Sequence, residues 1–292
     1  MEEHNLKIAV LSGKGGTGKT FVSVNLAAVI SDAIYLDCDV EEPNGHLFFK
    51  PDLTSIEEVY VKVPVVDTTK CSGCRQCVEF CKFNALAYIN NSLLIFSELC
   101  HSCGGCSLIC PDNALSEIDK SVGNVQMGTY KNLTVITGIM NPGEESGVPI
   151  IQHLLNHTSD KENIVVIDCP AGSSCTVMES IKDADYCVLV TEPTLLSVHN
   201  LSMIHELARL LNKPCGVVIN KYLNELNPVE QFCQENNLSI LARIGFDLYL
   251  SEIGAKGLIA VEENRDYHAV FSQLYKQIIK EAGHEAVIDN QR

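Results

Sequence analysis

Ser12-Gly13-Lys14-Gly15-Gly16-Thr17-Gly18-Lys19-Thr20 is the stretch on which the fold turns. From Gly13 to Thr20 it fits G-x-x-x-x-G-K-S/T, a loop whose backbone N–H groups converge on phosphate oxygens. An apolar run, Ile8-Ala9-Val10-Leu11, precedes it, and a helical pattern of Val22, Leu26, Val29 and Ile30 follows. Strand, loop and helix therefore come in the required order. A helix N-terminus favours anions through its dipole and its free N–H groups. Lys19 is placed to reach the β- and γ-phosphates, and the Thr20 hydroxyl to hold Mg²⁺. The stretch implies ATP or ADP with Mg²⁺.

Lys14 gives the loop two lysines, K-G-G-T-G-K-T. This pattern resembles the deviant phosphate loop of the MinD/ParA superfamily, which includes the nitrogenase iron protein and the Mrp-type cluster-binding ATPases. The resemblance implies an α/β P-loop NTPase with a mostly parallel sheet flanked by helices, and Mg-dependent ATP hydrolysis. It also implies an ATP-dependent dimer, with itself or with a similar chain, in which Lys14 reaches the partner's nucleotide. Asp37-Cys38-Asp39, at the end of Ala33-Ile34-Tyr35-Leu36, resembles the family's first switch. Asp37 would then act near the metal's water shell, and Asp39 would orient or deprotonate the attacking water. Ile164-Val165-Val166-Ile167 runs into Asp168-Cys169-Pro170-Ala171-Gly172, an apolar strand ending in a Walker B aspartate. By resemblance Asp168 holds Mg²⁺ through water, the Gly172 region senses the γ-phosphate, and Asn220 contacts adenine.

Of fourteen cysteines, eight fall between residues 71 and 110 in two matched runs. They are Cys71-x2-Cys74-x2-Cys77-x3-Cys81 and Cys100-x2-Cys103-x2-Cys106-x3-Cys110-Pro111. This is the bacterial ferredoxin spacing written twice. The repeat continues beyond the cysteines, from Phe83-Asn84-Ala85-Leu86 to Asp112-Asn113-Ala114-Leu115. An α+β bacterial-ferredoxin-like domain in βαββαβ order is therefore expected at residues 63–118. It would interrupt an ATPase domain of residues 1–62 and 119–292. In this spacing the fourth cysteine of each run serves the other cluster. One 4Fe–4S cluster would take Cys71, Cys74, Cys77 and Cys110, and the other Cys100, Cys103, Cys106 and Cys81. Thiolates at C-x2-C spacing also suit zinc, which usually closes with two such pairs. His101, beside Cys100, is expected to lie behind the ligands of a cluster or in solvent rather than to ligate, since four cysteines already suffice. Cys175 follows Asp168 at a spacing that resembles the nitrogenase iron protein, but the matching segment Asn141–Glu145 has no cysteine. It is expected to be a buried structural thiol.

The net charge of −16 argues against nucleic acid or anionic lipid as a partner. No run of 18 apolar residues occurs, and Met1-Glu2-Glu3-His4 is not the basic start of a leader. A cytoplasmic chain is expected. Between residues 41 and 66 only Val59 to Val66 has strand character. The α/β pattern resumes near residue 119, with strands at Leu133–Ile136, Tyr186–Val190, Cys215–Ile219 and Ser239–Ile244. Helices are expected at Gly147–Leu155 and Thr194–Leu211, and a closing one at Tyr267–Lys280 with Val270, Phe271, Leu274 and Ile278 facing the core. The tail Gly283–Arg292 lacks a basic face and reads as a frayed end. Three functions fit these features: an ATP-gated electron carrier with a redox partner protein, then an iron–sulfur scaffold, then a positioning ATPase with structural clusters.

Overall fold

The computed structural model describes residues 6–158, 163–223 and 227–289, with side chains up to Gly283 in the last helix. The chain opens with β1 (Lys7–Ser12), α1 (Lys19–Ala28), β2 (Ile34–Asp37), α2 (Gly45–Phe49) and β3 (Asp52–Val66). Next come α3 (Gln76–Phe80), β4 (Leu86–Ile89), β5 (Ser92–Ile95), α4 (Gly105–Leu108), β6 (Leu115–Tyr130) and β7 (Leu133–Met140). Alternation then sets in with α5 (Val148–Asn156), β8 (Val165–Ala171), α6 (Cys175–Ile181), β9 (Tyr186–Thr191) and α7 (Leu195–Leu210). The last elements are β10 (Cys215–Tyr222), α8 (Pro228–Glu235), β11 (Ser239–Gly245), α9 (Leu248–Ala255), α10 (Ala260–Glu263) and α11 (Arg265–Asp289).

Nine strands form one sheet in the order β11-β10-β9-β1-β8-β2-β7-β6-β3. From β11 to β7 every pairing is parallel; β6 then runs antiparallel to both β7 and β3. The apolar runs of β1, β2, β8 and β9 are buried throughout because helices cover both faces of the sheet. Ile150, Leu154, Val177, Leu201 and Ile204 cover one face from α5, α6 and α7. Val22, Leu26, Phe271, Leu274 and Ile278 cover the other from α1 and α11. The closing helix thus buries the face expected of it. It also runs on to Asp289, so the segment read as frayed is helical to that point, and residues 290–292 lie outside the described ones. Residues 1–5, which carry the expectation about a leader, lie outside them too. No helix among the described residues is long and apolar enough to cross a membrane.

The sequence understates one region. β3 is 15 residues long where only Val59–Val66 was expected, and β6, 16 residues long, runs well past the closing strand that the βαββαβ order called for before residue 118. The two pair from Asp52↔Thr129 to Val66↔Leu115 as a long ribbon along the sheet's edge. Apolar alternation fails there because the ribbon is exposed along much of its length, Leu53, Ile56 and Tyr60 included. Pro64, without a donor, is tolerated because β3 is the edge strand. Both strands run unbroken through the expected domain limits at 62/63 and 118/119.

The ribbon carries a lobe at its tip. Between Val66 and Leu115, α3, the β4–β5 hairpin and α4 enclose a separate small core of Cys77, Leu86, Leu93 and Cys106, closed by Leu115. The sequence repeat has a backbone cause here. Asn84 and Asn113 both take left-handed angles, φ 54° and 48°, which asparagine tolerates better than most residues. The alanine and leucine after each are buried.

Candidate functional site

The phosphate loop lies between β1 and α1, at the carboxyl edge of the sheet, where ligands of open α/β folds bind. Gly18 has φ 91° and leads into α1; a Cβ on it would lie 2.2 Å from Asn220 Nδ2. A Cβ on Gly13 would lie 2.3 Å from the Asn200 carbonyl oxygen of α7. At Gly15 and Gly16 a Cβ would meet nothing within 4 Å, which leaves an open cradle above the backbone. That cradle belongs to a cavity of about 460 Å³ lined by Gly15, Lys19, Thr20, Asp39, Pro170 and Ser174, among others.

Asp37 and Asp168 are opposite one another because β2 and β8 pair in parallel in that register. Both are fully buried. Lys19 Nζ donates to Asp168 Oδ1 at 2.8 Å and to Asp39 Oδ2 at 3.1 Å. Burial works against the Lys19 charge, but Asp168 and then Asp39 outweigh it and hold the ammonium above the ordinary lysine range. Burial first, and repulsion by Asp168 second, push Asp37 up to about 8, although the Gly45 N–H donates to its Oδ2 at 2.8 Å. Asp39 is raised as well, chiefly by burial, against the pull of Lys19. Three acidic side chains thus face one ammonium, an oxygen-rich set that suits a divalent cation beside phosphates once Asp37 gives up its proton.

Two partners of the expected site residues escaped the sequence reading. The Tyr35 hydroxyl donates to Asp168 Oδ2 at 2.9 Å from within the core, where burial and then Asp168 keep the phenol protonated. Glu192, just past β9, accepts from Lys14 at 2.7 Å and from Lys221 at 2.6 Å. Burial opposes ionisation of Glu192, but hydrogen bonds from the two lysines hold its carboxyl below the ordinary range. Within one chain, then, Lys14 is held by Glu192 beside the loop. Asn220, also buried, donates to the Thr17 carbonyl at 2.8 Å and ties β10 to the loop. The Gly172 N–H donates to the Ser12 carbonyl at 2.8 Å, joining the end of β8 to the loop.

A family model described as the CobQ/CobB/MinD/ParA nucleotide binding domain matches residues 8–261. The chain belongs to that family. It is a P-loop ATPase of the MinD/ParA kind. A relative from Methanocaldococcus jannaschii, described as an uncharacterized protein, is 32% identical over 94% of this chain and 96% of its own. A second protein of that organism, named an iron-sulfur cluster carrier protein, is 24% identical over 94% of this chain and 84% of its own. Among solved structures, the septum site-determining protein MinD of Pyrococcus horikoshii, complexed with Mg-ADP, superposes with a TM-score of 0.60. That likeness is 18% identical over 96% of this chain and 98% of the other, and it shows the fold.

The eight lobe cysteines separate into two groups. Cys71, Cys74, Cys77 and Cys110 line one cavity. Cys81, Cys100, Cys103 and Cys106 line another, of about 330 Å³. Backbone N–H groups donate to two of the sulfurs, Ser102 to Cys100 at 3.4 Å and Ala114 to Cys110 at 3.3 Å. His101 stacks on Phe83, with ring centroids 3.7 Å apart. Cys175 corrects its reading: it is exposed, not buried. It starts α6 two residues before Val177, off the face that Val177 and Ile181 turn to the core.

Proposed function

We propose that this ATPase is an iron–sulfur protein in which nucleotide state controls electron flow through two 4Fe–4S clusters. The observation that carries the proposal is the crossed grouping of the thiols. Three cysteines of each run share a cavity with the fourth of the other run, as two-cluster ferredoxin spacing requires. The lobe's β3-α3-β4-β5-α4-β6 order agrees with that reading. Zinc fits the sulfurs less well. A tetrahedral ion with Zn–S bonds of about 2.3 Å draws its sulfurs to about 3.8 Å from one another. Among the described residues no three of these thiols come within 4.8 Å of each other. A cubane, with one thiolate on each iron, tolerates the wider spread. The Cys71 cavity is the narrower of the two, about 20 Å³.

At the nucleotide, Lys19 would exchange its carboxylate partners for the β- and γ-phosphates. Asp39, released, would orient or deprotonate the attacking water, while Thr20, Asp37 and Asp168 serve Mg²⁺. Asn220 lies beside the loop, where adenine would reach it. Lys14 would leave Glu192 to meet the nucleotide of a second chain, identical or similar, so that hydrolysis needs the dimer. The path to the lobe is continuous: β2 carries Asp37 and pairs with β7, β7 pairs with β6, and β6 enters the lobe. A redox partner protein would meet the clusters at the lobe.

A second reading, cluster delivery, is favoured by the carrier name of the 24%-identical relative and by the exposed thiol of Cys175. Two measurements test the proposal. Anaerobic analysis should give about eight iron and eight sulfide per chain; zinc in their place sinks it. Redox titrations without nucleotide, with ADP and with a non-hydrolysable ATP analogue should then differ. A tenfold coupling is about 59 mV for a one-electron couple. Superimposable curves, together with ATP-dependent loss of iron to an apo-protein, would favour delivery instead.

A further inference from the structure

We propose that Glu57, His153 and His157 form a site for a divalent transition ion, zinc above all, that fastens the β3–β6 ribbon to the body of the ATPase. The site shares no residue with the nucleotide site or the cysteine lobe. His153 and His157 are four residues apart near the end of α5, so one face of the helix presents both imidazoles. Glu57 comes from β3, against which α5 packs. Both rings aim the same atom at the same oxygen. His153 Nε2 is 3.1 Å from Glu57 Oε2, and His157 Nε2 is 3.4 Å from it.

Those distances carry the argument. A tetrahedral zinc with bonds of about 2.0–2.1 Å holds its ligand atoms about 3.3 Å apart. The two measured separations bracket that edge length, and all three ligand atoms lie within 4.8 Å of one another. The rings cross at 74° with centroids 5.2 Å apart, so they do not stack. A donor set of two imidazoles and one carboxylate selects zinc-like ions over Mg²⁺, which prefers oxygen. The site opens to solution on the side of Glu57 and His153, while His157 Nε2 itself is buried. The side chains of His153, His157 and Glu57 are 36%, 22% and 39% exposed, and His153 borders an open cleft of about 770 Å³. Water from that cleft can complete a fourth position, as in three-ligand zinc sites. Cys100 and His101 of the lobe border the same cleft, and an ion at this point ties β3, one of the two strands leading to the lobe, to α5.

The competing account is that Glu57 simply shares a hydrogen bond with His153 and an ion pair with His157. Zinc binding decides between them. The full chain, purified anaerobically with its iron, is dialysed against micromolar zinc and then against metal-free buffer. Metal analysis should find about one zinc per chain beyond the iron. The zinc absorption edge should show nitrogen and oxygen ligands with imidazole scattering. His153→Gln and Glu57→Gln should each reduce bound zinc to near zero and abolish the rise in melting temperature on zinc addition. Unchanged iron content and binding of an ATP analogue show that the variants are folded. Failure of the native chain to retain zinc overturns the proposal, as does sulfur in its coordination shell or full zinc binding by both variants. The edge spectrum of the native chain decides even if a variant misfolds. None of these outcomes depends on whether the iron clusters carry electrons.

Discussion

Asp39→Asn should tighten ATP binding and nearly abolish hydrolysis. Lys19 is 6% exposed and shared between Asp168 at 2.8 Å and Asp39 at 3.1 Å. Phosphates gain Lys19 only as these contacts are given up. A hydrogen bond to a charged partner contributes about 1.5–3 kcal/mol, and a neutral acceptor gives roughly half of that. Asparagine keeps the shape and removes the charge, so competition for Lys19 falls by about 1 kcal/mol. That corresponds to roughly fivefold tighter binding. Loss of the carboxylate that handles the attacking water should slow turnover by about 10²–10⁴. Titration calorimetry with Mg-ATP measures the first effect, and single-turnover phosphate release the second. Size-exclusion chromatography should find the trapped ATP-bound dimer. Weaker binding than the native chain, or turnover at the native rate, refutes the exchange of partners at Lys19.

Lys14→Ala should leave a monomer that binds ATP but neither dimerises nor hydrolyses it, as light scattering and a phosphate assay would report; normal hydrolysis rules out the inter-subunit role. Gly18→Ala should lose nucleotide binding, because a Cβ there lies 2.2 Å from Asn220 Nδ2 in a left-handed backbone; an unchanged affinity for an ATP analogue contradicts this. Asp37 gives a pH signature, since its folded value near 8 is raised from an ordinary 3.8. The metal-free fold therefore holds a proton that the unfolded chain has released, and this contribution to stability is lost as pH rises through about 8. Mg²⁺ competes with that proton, so the gain in melting temperature from Mg-ADP should grow between pH 6 and 8 and then level off, whereas a flat gain contradicts the shift.

The nucleotide site was legible because its chemistry is local. One loop supplies Gly13 to Thr20, and Asp37 and Asp168 each end an apolar run. Their meeting depends only on β2 and β8 being neighbours in the sheet. Tyr35 and Glu192 were hidden for the opposite reason: one reads as a core aromatic and the other as a polar residue after a strand. Their partners lie far along the chain, Asp168 being 133 residues from Tyr35. The spacing of His153 and His157 is visible in the sequence, but Glu57 lies 96 residues before His153. The ribbon was illegible because strands exposed along much of their length carry no periodic apolar signal.

Val66 and Leu115 are direct partners at the last rung of the β3–β6 ladder. The lobe therefore grows from the place where a hairpin would ordinarily turn back on itself. A two-residue type I′ turn could close the chain there and leave every rung below it intact. The ladder already holds the two ends side by side, so closing residues 67–114 on the finished sheet costs it little entropy. The cysteine lobe and the nine-stranded sheet thus meet only at the end of the β3–β6 ladder. The hairpin tip is a socket: residues 67–114 could be replaced by a short turn while the registers of the sheet stay as they are.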